Sequence, residues 1–313
     1  MPKPIAIATD QTQCFDPDGK AIPCQGTGQD GETRTGAPWP EPRFTDQGQC
    51  VLDNLTGLMW TRDANPEEFP LSWDEALAAV EAMNRDQAHG YSDWRLPTRP
   101  QLFSLISHTE INPALPKGHP FENVFAGYYW TSDFCARFPN QAWYVHLGGA
   151  RVFSGMKHGS YMVWPVREDE PGSGRKTDPS ADRFITHENW AEDSLTGLGW
   201  MQTSSLPAKP VSWPQALHLV RKLNEDKALG FNDWRLPNIR ELDSLIDLTA
   251  HTPALSPGRP FPHVELGYWS STTSVYDPSY AWVLYTRDGR IGVGFKTGED
   301  FFAWPVRSLR PFL

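Results

Sequence analysis

The chain has 313 residues, a formal charge of −10 at pH 7 and no block of Lys and Arg, so it lacks the electrostatic footprint of a protein that binds nucleic acid or an anionic membrane unaided. No apolar run reaches the roughly 18 residues that a membrane-spanning helix needs. The 14 Trp, the 29 Pro and a mean hydropathy of −0.51 describe a loop-rich chain with compact aromatic cores and polar surfaces.

Residues 1–42 are rich in Gly, Pro, Gln, Thr and Asp and have almost no periodic apolar pattern, so an N-terminal arm is expected there. Residues 1–13 lack the apolar core of a signal peptide, and an exported form is expected to have had its signal removed. Cys14 and Cys24 flank the turn signature Asp16-Pro17-Asp18-Gly19, which predicts a small disulfide loop as the arm's main constraint.

A first domain is expected over 43–168. It opens with a strand from Phe44 into Val51-Leu52-Asp53, turns at Asn54 to Gly57, and continues as a strand at Leu58-Met59-Trp60. Ser72-x-x-Glu75 is a capping box, and Trp73, Ala76, Leu77, Val80 and Met83 share one face of the helix it starts. Asp93-Trp94-Arg95-Leu96-Pro97 must leave helix geometry, because Pro97 restricts Leu96 to extended conformations. A second helix follows, capped by Thr98 with Gln101, its buried stripe being Leu102, Leu105 and Ile106. Beyond residue 108 the pattern changes to Pro/Gly loops and aromatic strands at Tyr128–Ser132, Ala142–Leu147, Arg151–Phe153 and Tyr161–Val166. The last of these can return beside the first strand, which makes an α+β domain with clustered termini.

Residues 169–182 read as a polar Pro/Gly linker, and 183–313 replay the first domain. Gly230-Phe231-Asn232-Asp233-Trp234-Arg235-Leu236-Pro237 repeats Gly90 to Pro97, and Trp304-Pro305-Val306-Arg307 repeats Trp164 to Arg167. A unit this long can bury its own core, so two homologous domains in tandem are expected rather than a solenoid. Cys50 and Cys135 become Trp190 and Ser274 in the second copy. Their joint loss predicts that they bond to each other, and an even cysteine count argues for an oxidising compartment.

Four motifs present in both copies, Leu55-Thr56-Gly57-Leu58 with Trp60, Ser72-Trp73 with Ala76-Leu77, Asp93 to Pro97, and Trp164 to Arg167, resemble the bacterial Lcl C-terminal domain family, found at the end of a collagen-like surface adhesin. The Cys14 to Cys24 loop with Gly28-Gln29-Asp30-Gly31 looks like the lead-in of its exported members. The Arg-Leu-Pro-Thr core is more distantly similar to the formylglycine-generating-enzyme type of C-type-lectin-like fold. The resemblance implies two tandem C-type-lectin-like domains, each with two helices, a small antiparallel sheet and long loops.

Asp93, Trp94 and Arg95, with Asp233, Trp234 and Arg235, are the most tempting chemical residues, but their place between two helices predicts an Asp–Arg pair and a Trp that lock the helix junction to the sheet. There is no Gly-x-Ser-x-Gly elbow, no late cysteine pair of the oxidase type, and no His-Glu-x-x-His or Cys-x-x-Cys zinc pattern. No metal and no cofactor is therefore expected. Asp63, Asn65, Glu67 and Glu68 form an acidic loop of the kind that can hold calcium, but these become Thr203, Ser205, Pro207 and Ala208, so no shared calcium site is supported. The segments that differ most between copies carry Asp133, Arg137 and Asn140 in the first and Tyr276, Asp277 and Tyr280 in the second, residue types suited to recognition.

These observations predict a non-catalytic binding or adhesion protein, extracellular, periplasmic or on a cell surface, with a glycan or protein ligand. The alternative is a structural subunit that self-assembles through its N-terminal arm. An enzyme of the formylglycine-generating type is the third reading, weakened by the missing cysteines.

Overall fold

The computed structural model describes residues 6–169, 183–203 and 206–309. The first five residues of the expected arm, Ser205, and all of the expected linker but Asp169 lie outside the described residues. The chain divides into two compact units, one of residues 39–177 and the other of residues 1–38 together with 178–313. The N-terminal stretch is thus no arm held only by its own loop. It is built into the second repeat through hydrogen bonds to strands more than half the chain away in sequence, a kind of contact that leaves no periodic apolar trace.

That stretch contains the paired strands β1 (Cys14–Phe15) and β2 (Ala21–Ile22) and one helical turn, α1 (Asp30–Thr33). The Cys14–Cys24 disulfide forms as expected.

The first repeat begins with β3 (Phe44–Gln47), β4 (Cys50–Asp53) and β5 (Leu58–Thr61). Asp53 organises this opening: fully buried, it accepts from Leu55 N at 3.1 Å and Thr56 Oγ1 at 3.0 Å and so shapes the β4–β5 turn. It also pairs with Arg43, whose Nη2 donates to the Ser104 carbonyl at 2.7 Å. The long helix α2 (Trp73–Arg85) starts at the capping box read from Ser72 and Glu75. The short helix α3 (Arg99–Ser104) starts at Thr98 with Gln101. Between them, the Asn84 side chain accepts from Trp94 N at 2.7 Å and donates to Trp94 O at 2.8 Å. An amide carries a donor and an acceptor side by side and so satisfies both groups at once, and it fixes the buried Trp94 against Leu96, Val80 and Trp130.

An antiparallel meander follows: β6 (Tyr128–Cys135), β7 (Phe138–His146) and β8 (Arg151–Met156). The final strand β9 (Val166–Glu168) pairs with β5, so the sheet order is β3-β4-β5-β9 and the chain's exit lies beside its entry.

The second repeat reproduces this plan. Its opening sheet joins β10 (Phe184–Thr186), β11 (Trp190–Asp193) and β12 (Leu198–Met201) to the last strand, and an edge strand, β13 (Leu206–Val211), precedes the helix α4 (Trp213–Glu225). The short helix α5 (Ile239–Asp243) leads to the meander of β14 (Tyr268–Thr273), β15 (Tyr280–Tyr285) and β16 (Arg290–Phe295). The short β17 (Phe301–Ala303) lies parallel to β14 and antiparallel to β13, and β18 (Val306–Ser308) closes on β12. Asp193, Arg183 and the Ser244 carbonyl reproduce the Asp53–Arg43–Ser104 arrangement, and Asn224 holds Trp234 as Asn84 holds Trp94. The architecture is α+β, with few helices and several antiparallel sheets.

One cysteine expectation is corrected. Cys50 and Cys135 are buried free thiols and do not bond to each other. Cys50 lies in the apolar cluster with Met59, Ala76 and Trp94, where burial pushes its thiol above the usual range. It behaves there as a small hydrophobe, and its replacement by Trp190 in the second copy is a change of core volume rather than the loss of a bridge.

Replacing Asn84 with Ala leaves the N–H and C=O of the buried Trp94 without partners, and a loss of about 2–4 kcal/mol in unfolding free energy is expected. Denaturant unfolding monitored by tryptophan fluorescence measures it; a loss within experimental error would show that the bracket does not hold the junction.

Candidate ligand surface

The residues of the shared Asp-Trp-Arg motif serve the junction, with partners other than each other. Asp93 pairs with Arg167 of β9 at 2.7 Å, and that guanidinium lies 3.9 Å from the Tyr91 ring centroid. Arg95 donates to Gln101 of α3 at 2.7 Å and lies 3.9 Å from Glu168. In the second copy Asp233 pairs with Arg307 at 2.8 Å, and Arg235 meets the buried Glu241 at 2.6 Å. The motif therefore ties its neighbouring helix and the last strand together, with β9 and β18 supplying the cations for the two aspartates.

The six candidate ligand residues do not form one kind of surface. Asp133 and Asn140 stand on β6 and β7, because the expected loop is a hairpin with Ala136 and Arg137 at its turn. Asp133 accepts from Arg99 N, the first residue of α3, at 2.5 Å, and burial raises its pKa. Its carboxylate thus caps a helix. Arg137 lies 4.7 Å over the Phe138 ring, and the Asn140 amide contacts Met156 Sδ at 3.7 Å. In the second copy, Asp277 accepts from Ser279 N and Oγ and shapes the β14–β15 loop. Tyr276 there is 61 % exposed, and Tyr280 packs on Phe295 at 5.4 Å.

A different surface of the first repeat gathers aromatic side chains with polar tips. Alternation along β6 and β7 puts Tyr128, Trp130, Tyr144 and His146 on one face, the register pairing Tyr128 with His146 and Trp130 with Tyr144. Tyr161, from the segment beyond β8, packs on the same face. The Tyr128 ring, 44 % exposed, stacks on His146 at 4.6 Å and 28°. It meets Tyr144 at 5.1 Å and Tyr161 at 5.3 Å, and Tyr161 backs onto the buried Trp130 at 4.3 Å. Burial, with Arg151 second, lowers the His146 pKa, so the imidazole is neutral at pH 7. The result is a half-exposed ring platform seated on a rigid core tryptophan, with three phenols and an imidazole to make hydrogen bonds and the exposed Arg151 at its edge in register with His146. The equivalent second-repeat positions are Gly267, Val283, Tyr285 and Phe301, so the platform belongs to one copy. Sequence reasoning placed these residues on strands but did not compare faces; the signal was the spacing of two between Tyr144 and His146 and between Tyr128 and Trp130.

The two copies also differ at the N-terminus of the short helix. Thr272 stands where Asp133 stands in the first copy, and its Oγ1 accepts from Ile239 N at 3.1 Å. The carboxylate comes instead from the N-terminal stretch: Asp30 Oδ2 accepts from Thr272 Oγ1 at 2.6 Å and from Thr9 Oγ1 at 2.7 Å. Asp30 is wholly buried, and desolvation raises its pKa to about 6 despite those two hydrogen bonds, with Glu241 adding and Arg235 opposing. Nearby, the buried Lys296 lies 4.2 Å over the Trp213 ring and donates to the Phe15 and Asp16 carbonyls at 3.4 and 3.3 Å. Burial lowers its pKa to about 7, opposed by Asp16. Its first-repeat counterpart, Lys157, sits in the same way over Trp73 at 4.4 Å but lies in a half-buried position.

Among the described residues, no group of three or more His, Cys, Asp or Glu is placed to hold a metal ion, and no helix is long and apolar enough to cross a membrane. The model of the Lcl C-terminal domain matches residues 49–167 and again 189–307. No curated protein matches the chain.

The two buried charges give the N-terminal contact a definite pH profile. With a folded pKa of about 6 against an ordinary 3.8, Asp30 binds a proton more tightly in the fold, so its contribution to stability falls as pH rises from about 4 to 6. Lys296, at about 7 against 10.5, sheds its proton more readily in the fold, so its contribution recovers as pH rises from about 7 towards 10. A minimum in local stability between pH 6 and 7 is expected. Hydrogen exchange of the Thr273 amide, corrected for intrinsic rate, measures it, and Asp30→Asn should abolish the acid limb alone.

Proposed function

The chain belongs to the Lcl C-terminal domain family through both of its repeats, and on that premise we propose that it is a non-catalytic binding protein, with domains of C-type-lectin-like arrangement, that acts outside the cytoplasm and recognises a glycan. The Tyr128 platform carries this reading. A sugar ring offers an apolar face to a tyrosine and hydroxyls to its surroundings; Tyr128 supplies the first contact, and the Tyr144, Tyr161 and His146 polar atoms serve the second. Because Tyr128, His146 and Tyr161 already pack on one another and on Trp130, little side-chain freedom is lost on binding. The Cys14–Cys24 disulfide supports an oxidising compartment. The Asp-Trp-Arg motif, the strongest chemical candidate in the sequence, is engaged in holding the helix junction, which supports binding rather than catalysis.

Titration of the full chain against a panel of neutral and acidic polysaccharides tests the proposal. Tyr128→Ala should weaken binding at least tenfold, about 1.4 kcal/mol, with little change in Tm because the ring is half exposed. His146→Ala should weaken it less, and Tyr276→Ala in the other repeat not at all. Binding of proteins alone, or polysaccharide binding indifferent to Tyr128, would overturn it.

A further inference from the structure

The N-terminal segment, residues 6–38, holds its own shape. The disulfide closes the loop from Cys14 to Cys24. The Gln29 side chain accepts from Phe15 N and donates to Phe15 O, both at 2.9 Å, in the manner of a paired strand. The Glu32 carboxylate gathers the N–H groups of Gly26 at 2.5 Å and Gly28 at 2.7 Å. Gly31 passes so close to the preceding strand that a Cβ there would lie 2.3 Å from the Gln13 carbonyl oxygen. All of these contacts lie within the segment.

Among the described residues, its hydrogen bonds to the second repeat amount to a socket. The Gln11 amide accepts from Thr273 N and donates to Thr273 O, both at 2.8 Å, so it pairs with the end of β14 as a strand would. Asn238, the residue that caps α5, donates to the Thr35 carbonyl at 3.0 Å. Thr272 finds Asp30, and Lys296 finds the Phe15 and Asp16 carbonyls. Removing the segment would strand these buried polar groups without partners.

The first repeat has no need of such a plug. Asp133, from its own β6, supplies the helix-capping carboxylate. Phe134, 5.9 Å from Lys157 Nζ, takes the place that the Phe15 ring takes at 5.8 Å from Lys296 Nζ. Each chain therefore carries one plug and one socket. They are separated in sequence by the whole first repeat, which the chain enters from the plug through Pro38-Trp39-Pro40-Glu41-Pro42.

We propose that the plug is exchangeable between copies: residues 6–38 of one chain occupy the second-repeat socket of a second copy, producing swapped dimers or head-to-tail chains. Identity of the two chains guarantees the fit, and the preformed plug has little order left to gain on docking. The swap rests on the plug and socket alone and stands or falls independently of the glycan surface.

The test is a disulfide trap in the full chain. A Cβ at Gly19 would lie 3.4 Å from the Pro278 Cβ, near the roughly 3.5–4.5 Å that a disulfide spans, so Gly19→Cys with Pro278→Cys locks plug to socket at a half-buried turn, at the cost of a side chain on the positive φ of Gly19. Asp30→Cys with Thr272→Cys is the second, buried pair, used if the first does not fold. Equal amounts of 15N-labelled and unlabelled protein are mixed in reductant, concentrated over a roughly hundredfold range, reoxidised and digested. Exchange predicts linked peptides with one labelled and one unlabelled half, their share rising at least tenfold with concentration. Links that remain isotopically pure at every concentration would overturn the proposal.

Discussion

Buried indoles set the terms of this fold. In each repeat four tryptophans donate their N–H to a main-chain carbonyl: Trp73 to Thr131, Trp94 to Ala88, Trp130 to Leu71 and Trp164 to Thr61 in the first, with Trp213, Trp234, Trp269 and Trp304 doing the same in the second. A hydrogen bond spares such an N–H the cost of leaving water, whereas the buried Trp60, Trp143 and Trp200 have no acceptor for theirs among the described residues. Here each acceptor belongs to a different element, so every ring both fills volume and fixes the position of a strand, loop or helix end.

With that frame shared, the copies diverge where a third group is needed at the short helix. The N-terminal N–H of α3 or α5 wants an acceptor, and the meander's first strand wants its free end paired. The first repeat meets both needs by extending β6 and β7 as far as Cys135 and Phe138, which brings Asp133 to Arg99 N. The second answers Ile239 N with its own Thr272 hydroxyl, ends β14 at Thr273, and takes from residues 9–35 the groups that pair with Thr273, Thr272 and Asn238. One carboxylate position is filled from within in one case and from the far end of the chain in the other.

The helices were legible in the sequence because a capping box and an apolar stripe are local signals, and Ser72 with Glu75 or Asn238 with Glu241 state them without tertiary help. The duplication made the second repeat readable from the first. The docked N-terminal stretch was not legible: Gln11, Gln29 and Asp30 act through hydrogen bonds to main chain or hydroxyl groups that no spacing rule connects to them. Shared absence misled at Cys50 and Cys135, which are two buried thiols that do not bond to each other. At the candidate site, difference between copies drew attention to Asp133 and Asn140, whereas the aromatic platform differs just as much but lies on strands, where a face is visible only once the register is known.

Divergence of this kind divides the labour between otherwise equal domains. Extending its own hairpin leaves the first repeat self-sufficient, and its sheet face could then accumulate Tyr128, Tyr144, His146 and Tyr161 without disturbing the frame beneath, because Trp130 already anchors that face through the Leu71 carbonyl. The second repeat, committed to holding a foreign segment, spends its polar residues Thr272, Asn238 and Lys296 on that contact. A buried acid and a buried lysine are costly to maintain at neutral pH, and they are placed where the bond they stabilise joins parts of the chain that could part. The first repeat's aromatic face, by contrast, rests on ring packing against Trp130 rather than on buried charge.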